Sequence, residues 1–289
     1  MIPGSFDYSA PSSLEEAISL LQQHGDDAKI LSGGHSLIPM MKLRLASPAH
    51  VIDINRIPDL DYIKEEEGVL RIGALVREAD LEESELIRSK YPVIYEATKL
   101  IADPSVRNVA TLAGNLAHGD AANDHPAVML ALGAELVATG PNGSRTIPIG
   151  DFFQGFFTTA LEVNEILTEI RIPSPAANSS GTYLKLERKV GDYATAGIAV
   201  QLALGPQAVC ESAGIGLTNV GDMPIKATAA EQSLVGKTLD DELMKRAAQL
   251  ASDASDPMPD LRGSAEYKKN MVRVLTYRAL KQVVEKILS

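Results

Sequence analysis

Ser32-Gly33-Gly34-His35-Ser36 and, further along, Thr111-Leu112-Ala113-Gly114-Asn115 are the stretches on which the reading of this chain turns. Each has the composition of a loop that cradles phosphate. Glycines without a β-carbon let backbone N–H groups turn toward an anion, and the flanking Ser, Thr and Asn add donors without bulk. A lone Gly-Gly is more often a plain tight turn, but a second such loop and the flanking hydroxyls reverse that balance. Two loops of this kind suit a diphosphate held from both sides. No strand is followed by GxGxxG, and there is no GxxxxGK[ST] run for a nucleoside triphosphate. The pattern points away from a doubly wound nucleotide domain.

The 289 residues suffice for two or three compact units with a full hydrophobic core. A net charge of -11 and a pI near 5.0 argue against nucleic-acid or anionic-membrane partners, which need basic patches. A phosphate ligand must therefore be held locally, against the overall field. One cysteine, Cys210, excludes an internal disulfide, a cysteine-ligated iron–sulfur cluster and a thiolate zinc site within the chain. Cys210 itself reads as a small buried hydrophobe. The opening MIPGSFDYSAP lacks the basic start and apolar core of a signal peptide, and the most apolar run, Ala127 to Ala138, is interrupted by Glu135. A cytoplasmic protein without membrane insertion is expected.

Ser13 and Glu16 form a capping-box pattern, and Leu14, Ala17, Ile18 and Leu21 recur at helical spacing before Gly25. With strands at Ala28 to Leu31 and Val51 to Ile54, this gives a small α/β unit over residues 1–55. A hairpin around Glu65-Glu66-Glu67-Gly68, a helical period from Glu78 through Ile101, and strands at Ala134 to Thr139, Arg145 to Ile149 and Glu165 to Ile172 predict an α+β unit over 56–175. Pro173 to Gly181 punctuates rather than packs and marks a boundary. Over 181–289 come three strands, Thr182 to Lys189, Ala194 to Leu204 and Val209 to Asn219. Two or three helices follow, the last from about Ala265 to Leu288.

Several stretches now carry a resemblance: MIPGSFDY, LSGGHSLIPMMKLRLA, LIADPSVRN, TLAGNLAHGDAANDHPA, KLERKVGDYATAG, IGLTNV and LRGSAEYKKNM. In order and over nearly the whole length, the chain resembles the FAD-binding medium subunit of the molybdenum hydroxylases, above all of the aerobic carbon monoxide dehydrogenase type. The resemblance implies an α+β fold: a two-subdomain FAD-binding unit of the vanillyl-alcohol-oxidase (PCMH) type, then a C-terminal α+β domain of three antiparallel strands with helices. It implies non-covalent FAD on this chain. Molybdopterin and two [2Fe-2S] clusters would sit on partner chains, a large and a small iron–sulfur subunit, in a dimer of heterotrimers. Electrons would pass from those clusters to the FAD and on to an external acceptor. The same role in an aldehyde, purine or N-heterocycle dehydrogenase is the first alternative, a free-standing flavin oxidoreductase the second, a flavin-free structural protein the third. The substrate itself is not legible in this chain.

By the same resemblance, Lys29, Ile30, Leu31, Ser32, Gly33, Gly34, His35, Ser36 and Leu37 form one wall of the cofactor site. Ile101, Ala110, Thr111, Ala113, Gly114 and Asn115 form the other, Asp124 contacts the nucleotide, and Ile166, Lys185 and Tyr193 approach the flavin end. No catalytic side chain is implied, although Tyr193 could gate access of an acceptor; core packing is its plainer role. The family carries glycine where this chain has Ala113, an obstruction if the turn needs positive φ. His35 is expected to order its loop rather than bond flavin covalently, as its counterpart does in oxidases of the berberine-bridge type. Lys185 is by itself more often a solvated strand residue, though alternation puts it on one face with Tyr183 and Glu187. Lys42 and Arg44 read as a solvated face that could also touch a partner. His118, Asp120, Asp124 and His125 resemble metal ligands in kind, but nothing in their spacing makes them converge, and no metal is expected.

Overall fold

Ser13 starts the first helix as its spacing predicts: its Oγ accepts the Glu16 N–H at 3.2 Å, while Glu16 reaches back to the N–H of Ser12, one residue before the expected box partner. The computed structural model describes residues 2–289; Met1, the first residue of the expected 1–55 unit, lies outside them. The opening unit runs β1 (Asp7–Ser9), α1 (Leu14–His24), β2 (Ala28–Leu31), α2 (Leu37–Leu43) and β3 (His50–Asp53). Its three strands pair in parallel in the order β1-β3-β2. Ala17, Ile18 and Leu21 of α1 pack on Ile52 and Ile54, and the cluster also takes in Leu75 and Ile166 from later in the chain.

The second unit opens with β4 (Ile63–Glu66) and β5 (Val69–Gly73), joined through Glu67 and Gly68, both at positive φ as a tight hairpin turn of this kind requires. The helical period that follows is not one helix but three: α3 (Glu78–Glu83), α4 (Glu85–Lys90) and α5 (Pro92–Leu100). Ser84 ends the first and caps the second by accepting the Ile87 N–H, and Pro92, without an N–H, can only begin a helix. Next come α6 (Pro104–Arg107), α7 (Leu112–Ala117), α8 (Asp124–Leu132), β6 (Glu135–Gly140), β7 (Gly143–Pro148), α9 (Ile149–Phe152), β8 (Phe153–Gly155), β9 (Thr158–Thr159) and β10 (Ile166–Pro173). The main sheet is antiparallel throughout, ordered β4-β5-β10-β6-β7.

The third unit is a meander of β11 (Ser179–Leu186), β12 (Ala196–Leu204), β13 (Cys210–Thr218) and β14 (Ile225–Lys226), backed by α10 (Thr228–Leu234), α11 (Asp241–Ala254) and α12 (Ala265–Leu288). The expected three strands thus become four. The extra one is two residues long and pairs only with Gly216 and Leu217, too short to show a period. Cys210 is fully buried in this unit's core, and burial pushes its thiol up to about 11.

Helix α8 joins the units. Every residue from Asp124 to Ala131 is buried, so it carries no polar face, as a helix enclosed on all sides must. On one side it belongs to the core under the main sheet. On the other it meets β13 backbone to backbone: a β-carbon on Gly214 would lie 1.8 Å from Ala131 O, and one on Gly216 1.9 Å from Ala127 O. Gly216→Ala is accordingly expected to cost more than about 2 kcal/mol, toward the upper end of overpacking penalties, read as a lower denaturant midpoint. An unchanged midpoint would mean that strand and helix stand further apart than described.

Candidate cofactor site

Strand β2 delivers the chain into Ser32–Ser36, which leads into α2. Gly34 sits at φ +71°, a conformation L side chains rarely adopt, and Gly33 has no room for one: a β-carbon there would lie 2.6 Å from Val109 O and 2.7 Å from Ala110 Cα. The two glycine loops therefore touch main chain to main chain. Ser32 Oγ and Thr111 Oγ1 are 3.0 Å apart across the seam. Behind it, Arg77 donates to Val109 O and to Asn55 Oδ1, while Asn55 Nδ2 donates to Ser32 O at 2.9 Å. Among the described residues, no backbone acceptor takes the N–H groups of Gly33, Gly34, His35 or Ser36. His35 Nδ1–H donates to Gly33 O at 2.8 Å and so shapes its own loop.

The second stretch is not a loop but the start of α7. Thr111 caps it, accepting the Gly114 N–H at 3.2 Å, and the first-turn N–H groups of Leu112 and Ala113 have no acceptor within the helix. Both stretches face a cavity of about 820 Å³, within the range of about 300–1,000 Å³ usual for small-molecule sites. Another part of the wall joins the head of α8 to the third unit. Asp124, at the start of α8, accepts the Tyr183 hydroxyl at 2.6 Å and Lys185 Nζ at 2.9 Å; Lys185 also donates to Leu100 O. Burial pushes the Asp124 carboxyl up, against the pull of the Lys185 ammonium and the Tyr183 hydrogen bond. At the rim Tyr193 is half-exposed, with the Arg262 guanidinium over its ring at 5.8 Å.

Residues 4–175 match the family described as "FAD binding domain in molybdopterin dehydrogenase", and residues 181–283 the "CO dehydrogenase flavoprotein C-terminal domain". The chain belongs to the FAD-binding medium subunits of the molybdenum hydroxylases. It is 48% identical over 280 residues to the carbon monoxide dehydrogenase medium chain of Hydrogenophaga pseudoflava, covering 97% of each chain. It is 38% identical to the glyceraldehyde dehydrogenase medium chain of Sulfolobus acidocaldarius, covering 98% of this chain and 100% of that one. A solved structure of reconstituted carbon monoxide dehydrogenase from Oligotropha carboxidovorans contains a chain that superimposes with a TM-score of 0.96 at 46% identity, with 99% of each chain covered. The protein is thus an oxidoreductase subunit of the carbon monoxide dehydrogenase and xanthine dehydrogenase family, α+β in fold, with an FAD-binding domain and a C-terminal flavoprotein domain.

Within this flavoprotein subunit, Lys29 to Leu37, Ile101, Ala110, Thr111, Gly114, Asn115, Asp124, Lys185 and Tyr193 all border the cavity. Two residues marked from the resemblance do not. Ala113 is turned into the core beneath α7, and its φ is not positive, so the methyl that replaces glycine obstructs nothing. Ile166 is buried with Ala17 and Ile52. Each Asp124 carboxylate oxygen already accepts one hydrogen bond, Oδ1 from Tyr183 and Oδ2 from Lys185, and keeps a further lone pair. Arg77 and Asn55, which lash the loops together, and Leu161, Glu162 and Glu78 on the wall escaped sequence reasoning, because none sits in a recognisable pattern.

The four metal-like residues go separate ways: His125 Nε2 pairs with Glu78 Oε2 at 2.7 Å, Asp120 caps a turn at Ala122, and His118 lies against Phe157. No three metal-ligating side chains converge among the described residues. The donor set instead fits a diphosphate dinucleotide. Backbone N–H groups without a partner among the described residues lie at one end, in Gly33 to Ser36 and the first turn of α7.

The loop that carries Tyr193 is pinned by charge. Asp192 accepts Arg262 Nη2 at 3.0 Å, Arg188 Nε at 3.1 Å and the Tyr193 N–H at 2.9 Å, and these bonds, Arg262 first, lower its carboxyl to about 2. Because the folded value lies below the ordinary one of about 3.9, the pinning is complete above pH 4 and is lost as pH falls toward 2. A ¹³C titration of Asp192 should show a midpoint near 2 that Arg262→Gln moves upward; a wild-type midpoint at the ordinary value would mean that the cluster is open.

Proposed function

We propose that this flavoprotein subunit holds FAD non-covalently in the cavity and serves as the electron-transferring subunit of a carbon monoxide dehydrogenase-like assembly in the cytoplasm. The observation that carries this reading is the seam between Ser32–Ser36 and Thr111–Asn115, where uncommitted backbone N–H groups converge on one cavity in a chain of net charge -11. Amide dipoles fixed by the fold bind a diphosphate without adding full charges and need no reorganisation to do so. Lys185, held by Asp124, places an ammonium on the cavity wall. Tyr193, at the rim, shields the isoalloxazine end and regulates which acceptor reaches it. Within this reading the chain divides into FAD subdomains 1–55 and 56–175 and a C-terminal domain 181–289. When bound, FAD supplies the conversion between single-electron arrivals and a two-electron delivery to quinone, NAD or oxygen.

The partners in this reading are a small iron–sulfur subunit with two [2Fe-2S] clusters and a large molybdopterin subunit, paired as a dimer of heterotrimers. The lone cysteine, buried and with a raised thiol pKa, is consistent with clusters carried elsewhere. The names of the relatives support carbon monoxide as the substrate of the assembly. The glyceraldehyde dehydrogenase relative, at 38% identity, supports an aldehyde as the second reading.

Gly33→Val should drive the two loops apart and yield a folded protein that purifies colourless; full flavin content in that variant would remove the seam from the site. Acid precipitation of wild type should release the yellow chromophore to the supernatant, whereas a yellow pellet would indicate attachment through His35. Tyr193→Ala should keep its flavin and change kcat/KM for the acceptor. Turnover by the isolated chain with reductant and acceptor would favour a free-standing oxidoreductase instead.

A further inference from the structure

Arg262 lies outside the cavity wall, in the connection between α11 and α12, yet its side chain reaches the residues of the cavity's rim. The turn that carries it is held from within. Asp260 Oδ1 accepts the Arg262 N–H at 2.8 Å, Asp260 Oδ2 accepts the buried Lys268 Nζ at 2.9 Å, and the backbones of Asp260 and Gly263 bond to each other. From this turn the guanidinium extends to Asp192 Oδ1 and also stands over the Tyr193 ring. An arginine within about 6 Å of an aromatic centroid is attracted to the ring face, so one group holds both neighbours.

Asp192 and Tyr193 belong to residues 187–193, the loop that links β11 to β12 and borders the cavity at Gly191, Asp192 and Tyr193. Three bonds converge on Asp192, but two of them come from inside the loop, from Arg188 and from the Tyr193 N–H. Those two travel with the loop and cannot anchor it. Gly191, at positive φ, touches Ala102 main chain to main chain with no room for a β-carbon, a packing contact without a hydrogen bond. Among the described residues, the Arg262–Asp192 pair is thus the hydrogen bond that ties the loop to anything beyond its own flanking strands.

We infer that Arg262 is the positioning residue of the cavity mouth: from the third unit it fixes Tyr193 at the rim through Asp192, and so sets how closely an electron acceptor approaches the flavin. The inference rests on the FAD reading above and extends it to a residue that does not touch the cavity.

The test uses the flavin-loaded assembly and two readouts. Amide hydrogen exchange over residues 187–193 reports opening of the loop, and the rate at which a soluble quinone reoxidises chemically reduced flavin reports access to the cofactor. Arg262→Gln should speed exchange in the loop about ten- to a hundredfold, the factor for one lost hydrogen bond between charged groups, while exchange in β12 and α12 stays as in wild type. Reoxidation by the quinone should become faster. Arg262→Lys, which keeps the charge but loses the planar fork, should fall between the two. Tyr193→Ala should speed reoxidation by itself, and adding Arg262→Gln to it should bring no further gain. Asp192→Asn, which weakens the same bond from the other side, should reproduce the loop exchange of Arg262→Gln and keeps the test open if that variant does not fold.

Wild-type loop exchange in Arg262→Gln, or in Asp192→Asn where that variant stands in for it, would overturn the inference. So would exchange accelerated alike throughout the third unit, which is what a merely structural arginine would give, or an acceleration of reoxidation by Arg262→Gln that persists in full when Tyr193 is already alanine. If Tyr193→Ala alone leaves reoxidation unchanged, or if wild type carries no flavin, it is the reading beneath the inference that fails.

Discussion

At Gly33 two segments of main chain meet with no side chain between them, and the rest of the site depends on that contact. A strand-to-helix connection of the first unit and the entrance to α7 in the second lie close enough that even one methyl group would part them. What holds them is modest: one hydroxyl pair, Ser32 and Thr111, and the Asn55–Arg77 relay behind. The neutral hydrogen bonds among these contribute only about 1 kcal/mol net each. The seam therefore relies on the apolar cluster beneath it, where Leu75 and Ile166 of the second unit pack among Ile52 and Ile54 of the first.

Helix α8 extends the same logic to the third unit. Its first residues turn polar groups to different partners, Asp124 to Tyr183 and Lys185 and His125 to Glu78, while its remaining length is apolar on every side. A helix of that kind cannot tilt or slide without opening one core or the other. The polar residues at its head are thereby fixed with respect to both glycine stretches, although no hydrogen bond links them directly to Ser32–Ser36.

Where periodicity or glycine chemistry governs structure, the sequence was readable. Ser13 with its apolar spacing predicts α1, the Glu67-Gly68 pair predicts the hairpin, and the two Gly-containing stretches mark the seam. Where one residue decides, it was not. Ser84 and Pro92 break a continuous helical period into three because each satisfies or removes a backbone donor at one point, which a periodic pattern averages away. Ala113 looked like a departure in the binding stretch because that stretch reads as a loop. Once it is a capped helix, the second residue points inward and the methyl is ordinary core. Arg77, Asn55 and Glu78 gave no signal, since their roles arise from contacts between distant segments and depend on no local spacing.

The cavity wall draws on residues from Leu21 to Tyr193, with both glycine stretches and the Asp124–Lys185 pair in between. No shorter N-terminal piece contains a complete wall, and β11, which supplies Lys185, pairs only with β12 beyond it. Completion of the wall thus waits on the third unit, whose β11 supplies Lys185.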